Sequence, residues 1–188
     1  NNGAVGACAV FNNTTAINNV AVGVKALFQN TTATQNTGVG MFSLQNTSTG
    51  GNNTGLGYGT LYSNSTGACN TAIGACSLYS NTTACGNTAV GHQALCAVTT
   101  GNFNTASGYR ALKSTTSGAY NSGHGRTALC SNTTGCGNTA SGYSALKANT
   151  TGCHNTASGY KTLCTNTTAC LNTAYGACSL FANTTGTD

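Results

Sequence analysis

The whole chain is written in one seventeen-residue period. Cut after every seventeenth residue, the 188-residue sequence falls into eleven copies with no insertion or deletion, and only Asp188 is left over. Position 2 of the period is asparagine and position 6 is glycine in all eleven copies, while position 10 is leucine in ten copies and Val10 in the first. A strict short period predicts one structural unit that stacks on itself. We number the positions 1 to 17 and the copies coils 1 to 11.

This period predicts the fold class. Seventeen residues at roughly 3.3 Å each are enough for one turn of a flattened coil of short strands and tight bends. A glycine in every copy disfavours helices, and the period is too short for a helix pair. We therefore predict an all-β protein, a β-solenoid of eleven 17-residue coils that forms a single repeat domain over residues 1–188, with the repeats filling 1–187. Strands are expected at positions 3 to 7 and around 8 to 11, with bends at 13 to 16 and near 2.

The invariant asparagine at position 2 predicts a hydrogen-bonded ladder. Equivalent residues of stacked coils lie about 4.8 Å apart, so each side-chain amide can reach its neighbours above and below. The predicted Asn ladder consists of Asn2, Asn19, Asn36, Asn53, Asn70, Asn87, Asn104, Asn121, Asn138, Asn155 and Asn172.

The core of such a coil is thin. Hydrophobic residues make up 39% of the chain and charged residues 4%, and position 10 supplies about one large apolar side chain per coil. Burial of a leucine contributes about 1.5 to 3 kcal/mol, which offsets only part of the entropy lost in ordering a coil. Biased compositions also occur in disordered segments, but a leucine held in phase with the period favours a folded coil that is stabilised further by backbone hydrogen bonds and cross-links.

Eleven cysteines indicate an oxidising compartment, so we expect an extracellular or cell-surface protein with disulfides. One scheme closes the Asn-Thr-Thr bend within a coil, and a competing scheme joins equivalent positions of stacked coils, whose Cα spacing of about 4.8 Å is within disulfide range. The candidate disulfide cysteines are Cys130 with Cys136, Cys164 with Cys170, and Cys85 with Cys96 across adjacent coils.

The odd number of cysteines leaves at least one without an internal partner. Cys8 in coil 1 and Cys178 in coil 11 share position 8, so they would become neighbours if coil 11 of one chain stacked on coil 1 of the next. An uncapped coil exposes unpaired backbone groups, and both terminal copies are close to ordinary ones. We therefore expect head-to-tail association, which propagates instead of closing, with Cys8 and Cys178 as a candidate intermolecular joint.

Asn-x-Ser/Thr sequons recur along position 13. They predict either a row of N-glycans along one edge or a turn motif that needs no sugar. The candidate glycosylation sites are Asn13, Asn30, Asn46, Asn64, Asn81, Asn132, Asn149, Asn166 and Asn183, of which Asn46 lies at position 12.

Two other rows differ between the halves of the chain. Position 5 is apolar in coils 1 to 6 and Ser, His or Tyr in coils 7 to 11, and we expect another subunit to cover the apolar half because it would otherwise be an exposed patch.

Five of the six basic residues lie in coils 7 to 10, beside Tyr109, Tyr143 and Tyr160. This basic strip is either a solvated face or a patch for anionic glycans or a neighbouring subunit, and it is too sparse for nucleic acid. The basic residues are Arg126 at position 7, Lys25, Arg110 and Lys161 at position 8, and Lys113 and Lys147 at position 11.

Few side chains are suited to catalysis. Asp188 is the only carboxylate side chain, and His92, His124 and His154 lie in different coils at different positions. General acid–base catalysis needs such groups close together, and no Cys/His spacing typical of zinc occurs. We predict no enzyme, no catalytic or metal site and no cofactor. The sequence contains no run of eighteen apolar residues, so we predict no membrane span. The chain begins at Asn1 without a signal segment, and if it is secreted we expect it to be a processed piece of a longer product.

The repeated phrase itself resembles a known family. Residues 70–74, 87–91 and 172–176 read Asn-Thr-Ala-x-Gly, followed by Ala-Leu and Asn-Thr-Thr-Gly phrases, and this pattern is similar to the head repeats of trimeric autotransporter adhesins and to related repeats of tail-fibre-type surface proteins. The resemblance covers the whole chain. It implies β-solenoid coils, often of three chains together, on cell-surface or virus fibres that bind host or matrix.

Three functions follow from these patterns. The first is a structural subunit of an extracellular fibre or appendage that assembles head to tail with itself and carries candidate glycans. The second is a trimeric adhesin or tail-fibre segment that binds host or surface glycans. The third is an ice-binding solenoid, which the paired threonines favour and the lack of a Thr-x-Thr ladder disfavours, because adjacent residues of a strand point to opposite faces.

Overall fold

The computed structural model describes residues 1–186, and it forms one stack of coils. Each coil contributes one short strand, and the strands pair in parallel in sequence order, β1 with β2 through to β10 with β11. The stagger is seventeen residues throughout, because Thr71 pairs with Thr88 and Ala72 with Ala89. The all-β solenoid is confirmed. The strands are β1 Asn2–Val5, β2 Asn19–Val22, β3 Thr37–Val39, β4 Thr54–Leu56, β5 Thr71–Ile73, β6 Thr88–Val90, β7 Thr105–Ser107, β8 Ser122–His124, β9 Thr139–Ser141, β10 Thr156–Ser158 and β11 Thr173–Tyr175.

The strands are shorter than the sequence predicts, and the strand expected around positions 8 to 11 is wrong. In coil 5, β5 ends at Ile73, and residues 75–80 form a continuous turn. The φ angles of Cys76 and Leu78 are 56° and 50°, in the left-handed region where no strand residue lies. Positions 8 and 10 are left-handed in every coil, as is position 1 in most of them. The backbone therefore curls tightly where an extended segment was expected, at a cost of about 1 to 2 kcal/mol for each such non-glycine residue.

The interior holds one leucine column and two rows of small residues. The position-10 leucines from Leu27 to Leu163 are fully buried, beside alanine or glycine at position 4 and alanine, serine or threonine at position 9. Backbone hydrogen bonds join the coils in both directions: the Leu95 N–H donates to Ala111 O at 3.0 Å, and the Gly108 N–H donates to Val90 O at 2.8 Å. Repeated backbone bonding supplies the stabilisation that a thin core lacks.

Candidate functional site

The asparagines at position 2 stack as a ladder inside the coil. In coil 7 the Asn104 Oδ1 accepts from the backbone N–H and from Nδ2 of Asn121, both at 3.0 Å, and Asn104 Nδ2 donates to Gly118 O at 2.9 Å. The bond from the backbone N–H recurs at all ten steps between successive asparagines. The ladder is buried from Asn19 to Asn172, whereas Asn2 is exposed on the free face of coil 1.

Position 13 forms a second, buried asparagine row, and of the two interpretations of the sequons this burial favours the turn motif over a row of N-glycans. Asn30, Asn64, Asn81, Asn132, Asn149 and Asn166 have no exposed surface. Each of their Nδ2 atoms donates to the position-16 carbonyl of its own coil, as Asn149 does to Gly152 O at 3.0 Å. A glycan attaches through this same nitrogen, so these six sites are incompatible with the folded coil. Val98 at the same position was the available sequence signal that the row points inward.

The remaining candidate sites differ in exposure. Asn13 and Asn183 are half-buried in the two end coils, and each also donates to the position-16 carbonyl of its coil. Asn46 is half-buried in coil 3 and lies outside the inward row. Of the nine candidates, Asn46 is therefore the one best placed to carry a sugar on the side of the rod.

The predicted disulfides are not formed. All eleven cysteines, which lie within residues 1–186, are free thiols. Each predicted pair, Cys130 with Cys136, Cys164 with Cys170 and Cys96 with Cys85, combines a position-11 thiol with a position-17 thiol. Side chains at position 11 contact those at position 8, as Tyr62 contacts Phe42. The position-17 thiols of Cys153 and Cys170 instead accept from the position-17 N–H of the preceding coil. Positions 11 and 17 therefore belong to different faces of the coil. The short separation of six residues in the sequence had suggested that these two positions would meet.

Three thiols instead follow one another at position 17. The backbone N–H of Cys136 donates to Cys153 Sγ at 3.1 Å, and the N–H of Cys153 donates to Cys170 Sγ at 3.1 Å. Asn102 occupies the same place higher in the row, where its Oδ1 accepts from the N–H of Cys85 at 2.8 Å. Cysteine and asparagine at position 17 therefore have the same structural role, because the side chain of each accepts a hydrogen bond from a backbone N–H of the preceding coil.

The thiols are expected to differ in reactivity. Burial raises the pKa of Cys96, with a further rise from the nearby Cys76 thiol and an opposing effect of Lys113. Burial also raises the pKa of Cys153, against the hydrogen bond from the Cys136 N–H. Because the thiolate is the reacting form, we expect the iodoacetamide labelling rates of Cys96 and Cys153 to keep climbing above pH ~9, measured by peptide mass spectrometry. Rates at both residues that level off below pH ~8 would contradict this assignment.

Each end face of the stack lacks the coil that would satisfy it. The N–H groups of positions 10 and 14 donate to the next coil throughout the stack, and those of position 12 do so from coil 1 to coil 9. The N–H groups of positions 6 and 8 donate to the preceding coil, as that of Arg110 does. Among residues 1–186, no coil receives the bonds of Leu180, Ala182 and Thr184 in coil 11 or of Gly6 and Cys8 in coil 1. The apolar interior is open as well, because Leu180 is 44% exposed and Leu163 is fully buried.

Position 11 is a phenylalanine in both end coils. Phe11 stacks on Phe28 with ring centroids 5.4 Å apart and planes within 9°, both at position 11 of neighbouring coils. Phe181 occupies position 11 of the last coil and is 41% exposed. Cys8 and Cys178, the candidate joint, are exposed thiols at opposite ends of the rod, about 48 Å apart for ten steps of about 4.8 Å.

Cations and rings are interleaved on the side of coils 6 to 10. Arg126 lies between two tyrosines, with its guanidinium carbon 5.6 Å from the Tyr109 ring centroid and 5.4 Å from that of Tyr143. His92 stacks on Tyr109, and Tyr143 stacks on Tyr160. The sequence placed the cations and Tyr109, Tyr143 and Tyr160 on one strip, but only the structure shows that His92 and Arg126 stack in one column with these tyrosines.

Pockets and metal-binding groups are not found in the described part of the chain. Residues 1–186 enclose no pocket and hold no group of three or more His, Cys, Asp or Glu side chains able to bind a metal ion. His92 lies in the stack, and His154 packs against Gly137 of the preceding coil. Over the same residues there is no helix of the length and apolarity needed to cross a lipid bilayer.

Comparisons with known proteins do not place the chain in a family. No protein-family model, no curated protein and no solved structure matches it.

Proposed function

We propose that this protein is the structural subunit of an extracellular fibre that grows head to tail. The observation that carries the proposal is the complementarity of the two end faces. Coil 11 offers free N–H groups at positions 10, 12 and 14, and coil 1 offers the free carbonyls of positions 9, 11 and 14, which accept those bonds between successive coils inside the stack. Coil 1 in turn offers the N–H groups of positions 6 and 8, and coil 11 the carbonyls of positions 5 and 7 that receive them.

Side chains at the two faces match in the same register. Leu180 would close over Val10 of the next chain and continue the leucine column. The backbone N–H of Asn2 of the next chain would donate to Asn172 Oδ1, as the N–H of Asn172 donates to Asn155 Oδ1 in the ladder. Phe181 would stack on Phe11 and extend the existing Phe11–Phe28 pair. A junction built this way repeats the contacts of an ordinary coil pair, and because it is heterologous it propagates.

The fibre is tested by electron microscopy and sedimentation at rising protein concentration. Wild-type protein is expected to form long unbranched filaments one coil wide. The Leu180→Asp variant carries a charge that the junction would bury without a partner. This variant is therefore expected to remain as single rods or short oligomers. Leu56→Asp, on the side of the rod at 37% exposure, is the matched control and is expected to assemble normally. Equal filament formation by both variants, or wild-type protein that never sediments, overturns the proposal.

The covalent joint is a separate part of the proposal. In the junction Cys178 and Cys8 of the next chain share position 8 of successive coils, and an oxidant such as oxidised glutathione would accept two electrons and two protons as the two sulfurs bond. A non-reducing gel of oxidised filaments is expected to give a ladder that collapses on reduction. Cys178→Ser is expected to remove the ladder and leave the filaments. A ladder that survives reduction, or that persists in Cys178→Ser, contradicts the joint.

A second candidate is a trimeric fibre segment, which one observation favours. The position-5 side chains of coils 2 to 6 form a row of branched apolar residues that are each between 36% and 39% exposed. Three such rows packed together would cover this surface. Mass photometry of the unassembled protein distinguishes a monomer from a trimer, and Ile73→Asp is expected to dissociate a trimer and leave end-to-end filaments intact.

A further inference from the structure

The side of coils 6 to 10 carries an aromatic–cation column that the fibre model does not use. It consists of the position-7 residues His92, Tyr109, Arg126, Tyr143 and Tyr160. The ring centroids of His92 and Tyr109 are 5.6 Å apart with planes within 9°, and those of Tyr143 and Tyr160 are 5.3 Å apart with planes within 13°. With Arg126 in the centre, five planar groups in five successive coils stack along the rod.

Further cations line the column. The Arg110 guanidinium lies 5.0 Å from the Tyr109 ring centroid, and its Nε donates to Gln93 Oε1 at 2.9 Å. The Lys161 ammonium lies 5.3 Å from the Tyr160 ring centroid. Lys113 and Lys147 lie at position 11, whose side chains neighbour positions 7 and 8, as the contacts of Phe42 with Tyr58 and Tyr62 show. Cation–π contacts hold charged groups in place without neutralising them.

No carboxylate side chain among residues 1–186 neutralises this charge. Asp188 is the only acidic residue in the sequence, and the five cations of coils 7 to 10 have no carboxylate side chain among residues 1–186. Arg126 spends one N–H on Tyr143 Oη at 3.0 Å, which leaves most of the five guanidinium N–H groups for a ligand. The strip is thus a fixed row of donors over four coils, about 14 Å from the first to the last.

We propose that this strip binds a linear anionic polysaccharide that lies along the rod, with its sulfate or carboxylate groups on Arg110, Arg126 and Lys161. Because His92, Tyr109, Arg126, Tyr143 and Tyr160 stack on one another, the ring faces between them are covered, and the column presents ring edges, hydroxyl groups and the guanidinium on its side. Such edges hydrogen-bond to oxyanions and sugar hydroxyls. A single-stranded nucleic acid would instead need open ring faces on which its bases could stack.

The test is titration calorimetry with a size-defined heparin dodecasaccharide at 50 and 150 mM NaCl, with uncharged dextran as the blank. Arg126→Gln is expected to weaken heparin binding about tenfold, because it removes the central cation and interrupts the column. Lys25→Gln is the matched control: it removes the same charge from coil 2, outside the strip, and is expected to change affinity less than about twofold. Circular dichroism confirms that both variants stay folded.

Each contrary result is decisive. If wild-type protein does not bind heparin, the proposal that the strip is a binding site is wrong. It is also wrong if Arg126→Gln and Lys25→Gln weaken heparin binding equally, because heparin would then be attracted by net charge alone. Single-stranded oligo(dT) of equal charge that binds as tightly as heparin overturns the assignment to a polysaccharide. The test stands apart from fibre assembly because Leu180→Asp, which is expected to stay unassembled, keeps the strip and is expected to bind heparin with wild-type affinity per chain.

Discussion

Replacing Gly108 with alanine is expected to lower the free energy of unfolding by about 4 kcal/mol or more, the largest effect of any single change considered for this chain. An added Cβ would lie 2.7 Å from the Gly125 carbonyl oxygen and 2.8 Å from its carbonyl carbon, and φ of Gly108 is +132°. The obstacle is backbone, and it cannot withdraw without stretching the 2.8 Å bond from the Gly125 N–H to Ser107 O. The clash and the strain act together at one corner of the coil.

Substitutions at two other glycines distinguish the effect of the steric clash from the effect of backbone strain. Gly176 is the position-6 glycine of the last coil, with φ of +102° and nothing within 4 Å of an added Cβ, so Gly176→Ala is expected to cost only the backbone strain of about 1 to 2 kcal/mol. Gly3→Ala meets neither a clash nor a positive φ and is expected to be close to neutral. Urea titrations followed by circular dichroism rank the three variants. Gly108→Ala with a midpoint at or above that of Gly176→Ala would refute the role of close coil contact.

Removal of one rung of the position-2 ladder is expected to be the next most damaging change. Asn138→Ala deletes an Oδ1 that accepts from the backbone N–H of Asn155 at 3.0 Å and from Asn155 Nδ2 at 3.1 Å. The N–H is left buried without a partner, and the stack also loses the bond from Asn138 Nδ2 to Gly152 O at 2.8 Å. Together these changes are expected to lower the free energy of unfolding by about 3 to 5 kcal/mol, measured by urea titration.

The same coil supplies the control. Asn149, at position 13, donates to Asn132 Oδ1 at 2.9 Å and accepts from Asn166 Nδ2 at 2.9 Å, but no backbone N–H depends on it. Val98 already stands at this position in coil 6. Asn149→Val is therefore expected to cost about 1 to 2 kcal/mol. Equal losses from the two variants would mean that the backbone bond at position 2 contributes nothing beyond an amide–amide contact.

Much of the fold follows from phase alone. A residue that recurs every seventeen positions must lie above its own copy once the chain coils, so the invariant asparagine and the in-phase leucine predicted the stack of coils, the asparagine ladder and the leucine core. The same reasoning brought the cations of coils 7 to 10 onto one strip. Phase determines which residues are neighbours along the rod axis, and it does so before any coordinate is known.

Phase does not determine where a side chain points. Position 13 was interpreted either as an outer edge that carries glycans or as a turn motif, and its side chains lie inside. Cys130 and Cys136 were expected to form a disulfide, and both are free thiols. Side chains alternate between faces only along a strand, and the strand of each coil has only three or four residues. Cys76 and Leu78 have left-handed backbone conformations, which the sequence does not predict. The sequence by itself therefore determined the stacking of this protein, and the tertiary structure decided which rows are inside, because the path of the turn sets the direction of every side chain on it.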